Sequence, residues 1–232
     1  MIDFHSHILP CVDDGSASVD ESVELLRMLY SQGVSHVFAT PHFDASCDTP
    51  SSFFDKREAA HTKLMDALRT QEQAFPTLLL GAEVMYFSGI SGMSELTEFT
   101  LGSTNLLLLE MPIGAWSEYA VQELVNLCCS GKFTVLVAHV ERYFQYQSAS
   151  VWRRLLESGI LTQANASFFA EPQTRRRALK MLMRGEIQLL GSDCHNLSSR
   201  PPRMDEALSV IEKKLGTDFV FCMDSFGKSF LN

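Results

Sequence analysis

The chain has 232 residues, a length that suits one large domain or two small ones, and 46% of them are hydrophobic, so we expect a sizeable core. Its formal charge of −9 argues against general binding to nucleic acid. No apolar run approaches the ~18 residues that cross a membrane, and the start, MIDFHSH, lacks the features of a secretory signal. The six cysteines show no disulfide spacing, so we expect reduced thiols in a cytoplasmic protein.

Short apolar strands and amphipathic helices alternate along the whole chain. We predict strands near 1–6, 35–41, 77–84, 105–111, 133–139, 161–166 and 187–193. We predict helices near 19–32, 52–73, 117–130, 149–158, 172–184 and 203–215, with a short helical tail after 217 and an irregular segment over 85–104. Four helices end at a glycine, the residue that best tolerates a left-handed stop: Gly33, Gly131, Gly159 and Gly185.

This alternation favours a parallel sheet with crossover helices. Seven such units without a break in composition predict a single domain over residues 1–232, folded as one closed α/β barrel of the (β/α)7 type. An open, doubly wound sheet is the alternative.

Histidines and carboxylates mark the carboxyl ends of six of the seven predicted strands. They are His5, His7, His42, Glu83, Glu110, His139, Asp193 and His195, with Asp14 in the loop after the first strand. In βα barrels this edge carries the active site. One such histidine alone is more often a hydrogen-bonded core residue, but the shared edge predicts a metal site. His36 and His61 fall outside the pattern, and we expect them to be structural.

The spacing of two pairs supports this interpretation. Side chains alternate between the faces of an extended chain, so His5 and His7 point the same way, as do Asp193 and His195. Imidazole and carboxylate ligands together suit Mn, Fe or Zn better than Mg or Ca. About nine ligands need two or three ions, and metals that share a carboxylate can clamp a phosphoryl group.

The stretch GSDCHNLSSR also fits a rival pattern. Cys194 and Arg200 match C-x5-R, the minimal motif of cysteine-dependent phosphatases. If Asp193 and His195 face the site, however, strand alternation turns Cys194 into the wall between sheet and helices. The loop HNLSS also lacks the glycine that close approach to a phosphate usually requires. We therefore expect Cys194 to be an inert packing residue.

Seven motifs in this order carry a family likeness: IDFHSH, DDG, ATPH, GAE, LLLE, AHVER and SDCHN. Over about 1–215 they resemble the PHP (polymerase and histidinol phosphatase) superfamily. The stretches MIDFHSHILPCVDDG, AHVERY and SDCHNLSSRPP are most similar to the manganese-dependent bacterial tyrosine phosphatases of capsule and exopolysaccharide clusters. The resemblance implies a distorted seven-stranded barrel with a trinuclear metal site.

The resemblance also implies roles for individual residues. The implied ligands form three sets that hold one metal each: His5, His7, Glu83 and Asp193; Glu83, Glu110 and His139; and Asp14, His42 and His195. Arg142 and Arg200 match arginines that bind the phosphate. Asp3 resembles a residue that supports the ligands without binding metal.

The expected activity is hydrolysis of phosphotyrosine by a metal-bridged hydroxide, with two or three Mn²⁺ ions, although Fe or Zn would also fit. The resemblance implies that the substrate is a bacterial tyrosine kinase that controls capsule or exopolysaccharide synthesis. One alternative is a phosphomonoesterase of small molecules such as histidinol phosphate. Another is an inactive barrel that only binds a partner.

Two charged segments bear on substrate choice. The loop after His42, FDASCDTP, has two acids and no base, unlike the basic loop of some relatives, so acidic substrates should find this rim less favourable. The run Thr174–Arg177 could supply positive charge instead, or it could be a solvated helix face.

Overall fold

Strands and helices alternate through residues 1–231, the part of the chain that the computed structural model describes. The strands are β1 (Ile2–Ser6), β2 (His36–Ala39), β3 (His42–Phe43), β4 (Thr77–Leu80), β5 (Glu83–Met85), β6 (Leu106–Glu110), β7 (Thr134–Val137), β8 (Leu161–Asn165) and β9 (Leu189–Gly191). The helices are α1 (Val19–Ser31), α2 (Pro50–Arg69), α3 (Glu118–Cys129), α4 (Ala149–Glu157), α5 (Ala166–Ala170), α6 (Pro172–Met183), α7 (Met204–Leu215) and α8 (Thr217–Lys228). Short 3-10 helices cover Ile90–Gly92, Ser94–Phe99, Val140–Arg142 and Ser229–Leu231.

The strands form a parallel barrel with seven strand positions. Segments β2 and β3 share one position, and β4 and β5 share the next, so the orders are β1-β2-β4 and β3-β5-β6-β7-β8-β9. The first and last strands are joined just beyond β9, where Asp193 N donates to His5 O (2.8 Å) and His7 N donates to Cys194 O (2.9 Å). The predicted barrel is therefore confirmed, and the open sheet is wrong.

The helix ends follow from local sequence. Ser18 caps α1 by accepting from Glu21 N, and the Glu21 side chain accepts in return from Ala17 N. The chain takes the left-handed conformation at Gly33, Gly131, Gly159 and Gly185, as predicted. Helix α2 begins at Pro50, earlier than predicted, because Thr49 caps it and proline favours the first helical position.

Two apolar layers lie on opposite faces of the sheet. The outer layer packs strand residues such as Leu107, Leu109 and Val135 against the surrounding helices. The inner layer fills the lower half of the barrel: Ile2, Phe4, Phe38, Leu101, Leu106, Leu108, Leu136, Ala138 and Leu189. Helix α8 packs beneath it, so close that a Cβ on Gly227 would lie 3.1 Å from the Phe4 ring. The polar side chains inside the barrel therefore lie in its upper half.

A β-bulge in β1 separates the two halves. Asp3 pairs with Val37 but Ser6 pairs with Ala39, so β1 holds one extra residue between these pairs. The bulge interrupts the alternation of faces. Phe4 consequently points into the lower core while its neighbour His5 points into the upper half. The Asp3 carboxylate stabilises the bulge, since its Oδ1 accepts from His5 N (3.2 Å) and from Ser192 N (2.7 Å).

Two other predictions need correction. Residues 166–170 form the separate helix α5 directly after β8, which periodicity did not reveal in so short a segment. Strand β9 ends at Gly191 rather than at 193, because Asp193 takes a left-handed φ of 51° that an extended strand cannot hold. The irregular segment 85–104 contains two short 3-10 helices, Ile90–Gly92 and Ser94–Phe99.

Candidate metal centre

Glu83 lies at the centre of the upper half of the barrel. It begins β5, is 1% exposed, and its Oε2 lies 3.1 Å from His5 Nε2, 3.2 Å from His7 Nε2 and 3.1 Å from His42 Nδ1. Its Oε1 lies 2.8 Å from His139 Nε2. One carboxylate therefore joins four imidazoles, two from the end of β1, one from β3 and one from the loop after β7.

The other acidic side chains complete three overlapping groups, each with ligand atoms within 4.8 Å of one another. The groups are His5, His7 and Asp193; His42, Glu83 and Glu110; and His7, Asp14, His42 and His195. His139 Nε2 reaches the second group, 3.4 Å from Glu110 Oε1. All nine predicted ligands thus lie together at one end of the barrel, whereas His36 and His61 lie elsewhere on β2 and α2.

Two arginines border this cluster on its open side. Arg142 Nη2 lies 3.0 Å from Asp193 Oδ2, and Arg200 Nη2 lies 2.8 Å from the same oxygen. Arg142 also reaches Glu110 at 3.4 Å. Both guanidinium side chains are about one third exposed, so they can meet an incoming anion.

Two residues of the cluster have a left-handed backbone conformation, which sets the direction of their side chains. His139 has a φ of 31° and Asp193 a φ of 51°, values that non-glycine residues seldom adopt and that carry a cost in free energy. Asp193 is therefore not part of an extended strand, and the prediction that strand alternation brings Asp193 and His195 to one face is wrong. The two side chains do lie together, with Asp193 Oδ1 3.7 Å from His195 Nδ1.

Four supporting residues were not predicted, and the first is Asp13. Its Oδ2 lies 2.7 Å from His7 Nδ1 and accepts from His42 N at 3.0 Å. A carboxylate in this position fixes the orientation of an imidazole and leaves its other nitrogen free for a metal. The sequence DDG offered the signal, since Asp13 directly precedes Asp14.

Gln163 and Asn165 on β8, with Tyr143, are the other three. Gln163 Oε1 accepts from His139 N (2.8 Å) and lies 3.1 Å from His5 Nδ1. Asn165 Nδ2 donates to Asp193 Oδ2 at 2.6 Å, and Tyr143 Oη lies 3.1 Å from His139 Nδ1. Strand β8 thus contributes no predicted ligand but orients three of them. The sequence signal for the two β8 residues was their spacing, because polar residues two apart in a buried strand point to the same face.

The crowding of charges shifts several pKa values. Burial lowers the pKa of His7, but its hydrogen bond to Asp13 and the nearby carboxylate of Glu83 outweigh this and raise the pKa to about 10. Burial, together with the charge of Glu83, raises the pKa of Glu110 to about 7. Burial also lowers the pKa of His195 to about 4, helped by the nearby charges of His7 and Arg200. The raised pKa values of His7 and Glu110 mean that bound protons offset part of the negative charge of the carboxylates. Bound metal cations would offset the same charge.

Unpaired buried atoms show that the donor set fits metal ions. Among residues 1–231, Glu83 Oε2, His42 Nδ1 and His195 Nε2 are buried without a partner in hydrogen-bond geometry. Buried polar atoms are normally paired, because leaving one unpaired costs about 1–3 kcal/mol. All three belong to the groups described above, where a cation would satisfy them.

Cys194 lies in the outer apolar layer, as predicted. It is fully buried, and burial raises the pKa of its thiol, followed by the effect of the Asp3 charge. A neutral buried thiol is a poor nucleophile. The rival interpretation of the C-x5-R match is therefore not supported.

The two charged segments also have defined positions. Asp44 lines the cavity over the cluster, while Asp48 pairs with Lys56 of α2 at 2.9 Å. Arg175 donates to the carbonyls of Phe169 and Ala170, at the end of α5, and Arg176 and Arg177 are exposed on α6. The arginine run is thus mainly a solvated helix face with one structural member.

Fold and cluster together define a class: a distorted parallel (β/α)7 barrel whose carboxyl-end face carries a histidine- and carboxylate-rich centre. The chain belongs to the capsular polysaccharide synthesis family CpsB/CapC, whose model matches residues 1–224. No helix in residues 1–231 is long and apolar enough to cross a membrane.

Individual relatives agree with this assignment. The chain is 32% identical to the tyrosine-protein phosphatase CpsB of Streptococcus pneumoniae, over 93% of this chain and 91% of the relative. It is 28% identical to the tyrosine-protein phosphatase YwqE of Bacillus subtilis, over 96% and 88%. A crystal structure from a study of YwqE and CpsB, described as metal-dependent tyrosine phosphatases, superposes with a TM-score of 0.85 at 26% identity, covering 100% of this chain and 94% of that one.

Proposed function

We propose that the protein is a metal-dependent protein-tyrosine phosphatase. The observation that carries this proposal is the cluster of nine ligand-type side chains with Glu83 at its centre, bordered by two arginines that can hold a phosphate. The activity named for relatives that align over most of the chain supports the same function.

The proposed ligands follow the three sets that the family resemblance implies. They are His5, His7, Glu83 and Asp193; Glu83, Glu110 and His139; and Asp14, His42 and His195, with Mn²⁺ as the proposed ion and two or three ions in all. Such cations supply charge to neutralise phosphate oxygens and lower the pKa of water that attacks phosphorus. Within the chain, Asp13 and Gln163 hold the imidazoles of His7 and His5 in place.

Arg142 and Arg200 are the proposed catalytic residues. Both bind the same carboxylate oxygen of Asp193, so both can reach a phosphate placed beside that oxygen. A planar guanidinium binds phosphate through two parallel hydrogen bonds, which fixes its orientation for in-line attack. The leaving tyrosinate has an ordinary pKa of about 10, so its departure needs little further assistance.

The biological setting is a further part of the proposal. We assign one catalytic domain to residues 1–232 and a phosphotyrosine protein as substrate, in particular a bacterial tyrosine kinase that controls capsule or exopolysaccharide synthesis. The family model for capsular polysaccharide synthesis supports this setting. All six cysteines are free thiols, which supports a cytoplasmic location.

The test compares two substrates on the same Mn²⁺-loaded protein. We expect a clearly higher kcat/KM for a phosphotyrosine peptide than for histidinol phosphate, measured by phosphate release. A preference for histidinol phosphate would replace the proposal with a small-molecule phosphomonoesterase. Metal-loaded protein that hydrolyses neither ester would instead indicate an inactive barrel.

A further inference from the structure

A second cavity adjoins the metal centre across the two arginines. Its volume is about 590 Å³, within the range of about 300–1,000 Å³ that is common for small-ligand sites. Arg142, Asp193 and Arg200 line both this cavity and the one of about 470 Å³ over the cluster. These three side chains therefore form the wall between a place for phosphate and a second, separate space.

The second cavity combines a small apolar surface with polar and charged groups. Phe168 and Pro201 provide the apolar surface, and Asn165, Ser167 and Ser199 provide amide and hydroxyl groups. Charged side chains also line it: Glu141, Glu171 and Arg203. Ser167 is the one exposed residue of α5, whose other four residues are buried. Helix α5 thus turns its single accessible side chain into this space.

The two cavities differ in what they offer to the group esterified to a phosphate. The cavity over the cluster is lined by the acidic side chains of Asp14, Asp44 and Glu110, and Met85 is its one apolar residue. A phenyl ring needs apolar contact, which Phe168 and Pro201 supply in the second cavity. A phosphate at the arginines therefore has, on the side of the second cavity, the larger space and the one with a phenylalanine side chain in its lining.

We propose that this second cavity receives the phenyl ring of the substrate phosphotyrosine. The inference rests on the proposed phosphatase activity and adds the position of the substrate's aryl group. It gives α5 a role in specificity, because an aryl phosphate gains a contact surface that a short alkyl phosphate cannot use fully.

The test fills the cavity at its one exposed helical position. Ser167→Trp adds an indole without removing any core contact, so the fold should be retained. The matched control is Ser225→Trp, at an exposed serine of α8 beneath the opposite end of the barrel. KM is measured with p-nitrophenyl phosphate and with a phosphotyrosine peptide, and Ki is measured with inorganic phosphate, all on Mn²⁺-loaded protein.

We expect Ser167→Trp to raise KM by about tenfold or more for both esters, since a blocked cavity loses the ring contact. Ki for inorganic phosphate should stay at the wild-type value, and Ser225→Trp should match wild type throughout. An unchanged KM for p-nitrophenyl phosphate, including a rise confined to the peptide, would overturn the ring assignment. A wild-type protein that binds Mn²⁺ but hydrolyses neither ester would refute the phosphatase proposal itself, a distinct result.

Discussion

The two halves of the barrel interior are built from the same strands but have opposite chemistry. Strand β6 illustrates this, because Leu106 and Leu108 point into the lower core and Glu110, next on the same face, points into the upper cluster. Burying charged groups costs free energy, whereas burying leucine and phenylalanine side chains stabilises the fold. The lower half therefore supports an upper half that is arranged for ligands rather than for stability.

The largest expected effect lies at the centre of the upper half. Glu83→Gln keeps the volume of the side chain but removes the charge that four histidines contact. We expect kcat/KM on a phosphotyrosine peptide to fall by roughly 10³-fold, together with lower metal content by elemental analysis. The control is Glu123→Gln, since Glu123 is also buried and accepts hydrogen bonds from Tyr86 and Ser91 outside the cluster. Equal loss in both variants would mean that Glu83 acts only through stability.

The arginines at the border should show a smaller loss with a different signature. Arg142→Lys and Arg200→Lys each keep a positive charge but lose the planar fork, so we expect kcat/KM to fall by about 10²-fold. Metal content should remain at the wild-type level, which separates these residues from the ligands. Arg154→Lys provides the control, since this side chain is equally exposed but pairs with Glu118 away from the cluster. Reduced metal content in Arg142→Lys would contradict the assigned role.

A substitution in the lower half should reduce the stability of the fold and leave the catalytic rate unchanged. Phe38 is fully buried and stacks on Phe4, with ring centroids 5.4 Å apart. We expect Phe38→Ala to reduce the free energy of unfolding by about 3–5 kcal/mol in urea denaturation. At a temperature where the variant stays folded, kcat should match wild type. A large loss of kcat in folded protein would show that the two halves are not separable.

The smallest effect is expected at Cys194. Because its buried thiol faces the outer layer, Cys194→Ala should leave kcat/KM within about twofold of wild type and should lower stability only slightly, by about 1 kcal/mol. Phosphatase assays and urea denaturation of the same preparation measure both quantities. Loss of activity without loss of stability would support the rival mechanism, in which the Cys194 thiol is the nucleophile.

Sequence patterns predicted what depends on local periodicity. The strand ends that carry His42, Glu83, Glu110 and His139 followed from the alternation of apolar strands and helices, since parallel strands bring their carboxyl ends to one face. The interval between the histidines of the first strand likewise predicted that His5 and His7 point together.

Other features depend on neighbouring strands and escaped prediction. The bulge that turns His5 away from the lower core is visible only in the pairing of β1 with β2, and the carboxylate of Asp3 holds it. The left-handed turn at Asp193 follows from the joining of the last strand to the first. Gln163 could have been noticed as a polar residue in a buried strand, but its partners, His5 and His139, come from distant parts of the chain.

The central claim is that the upper half of the barrel acts through bound metal. The direct measurement follows phosphotyrosine hydrolysis by one sample as EDTA is added and Mn²⁺ is then restored. We predict that hydrolysis stops on chelation and returns with Mn²⁺, because the histidine and carboxylate groups need cations to bind and activate the phosphate. Hydrolysis that continues undiminished in EDTA, in protein shown to be metal-free, would contradict the account.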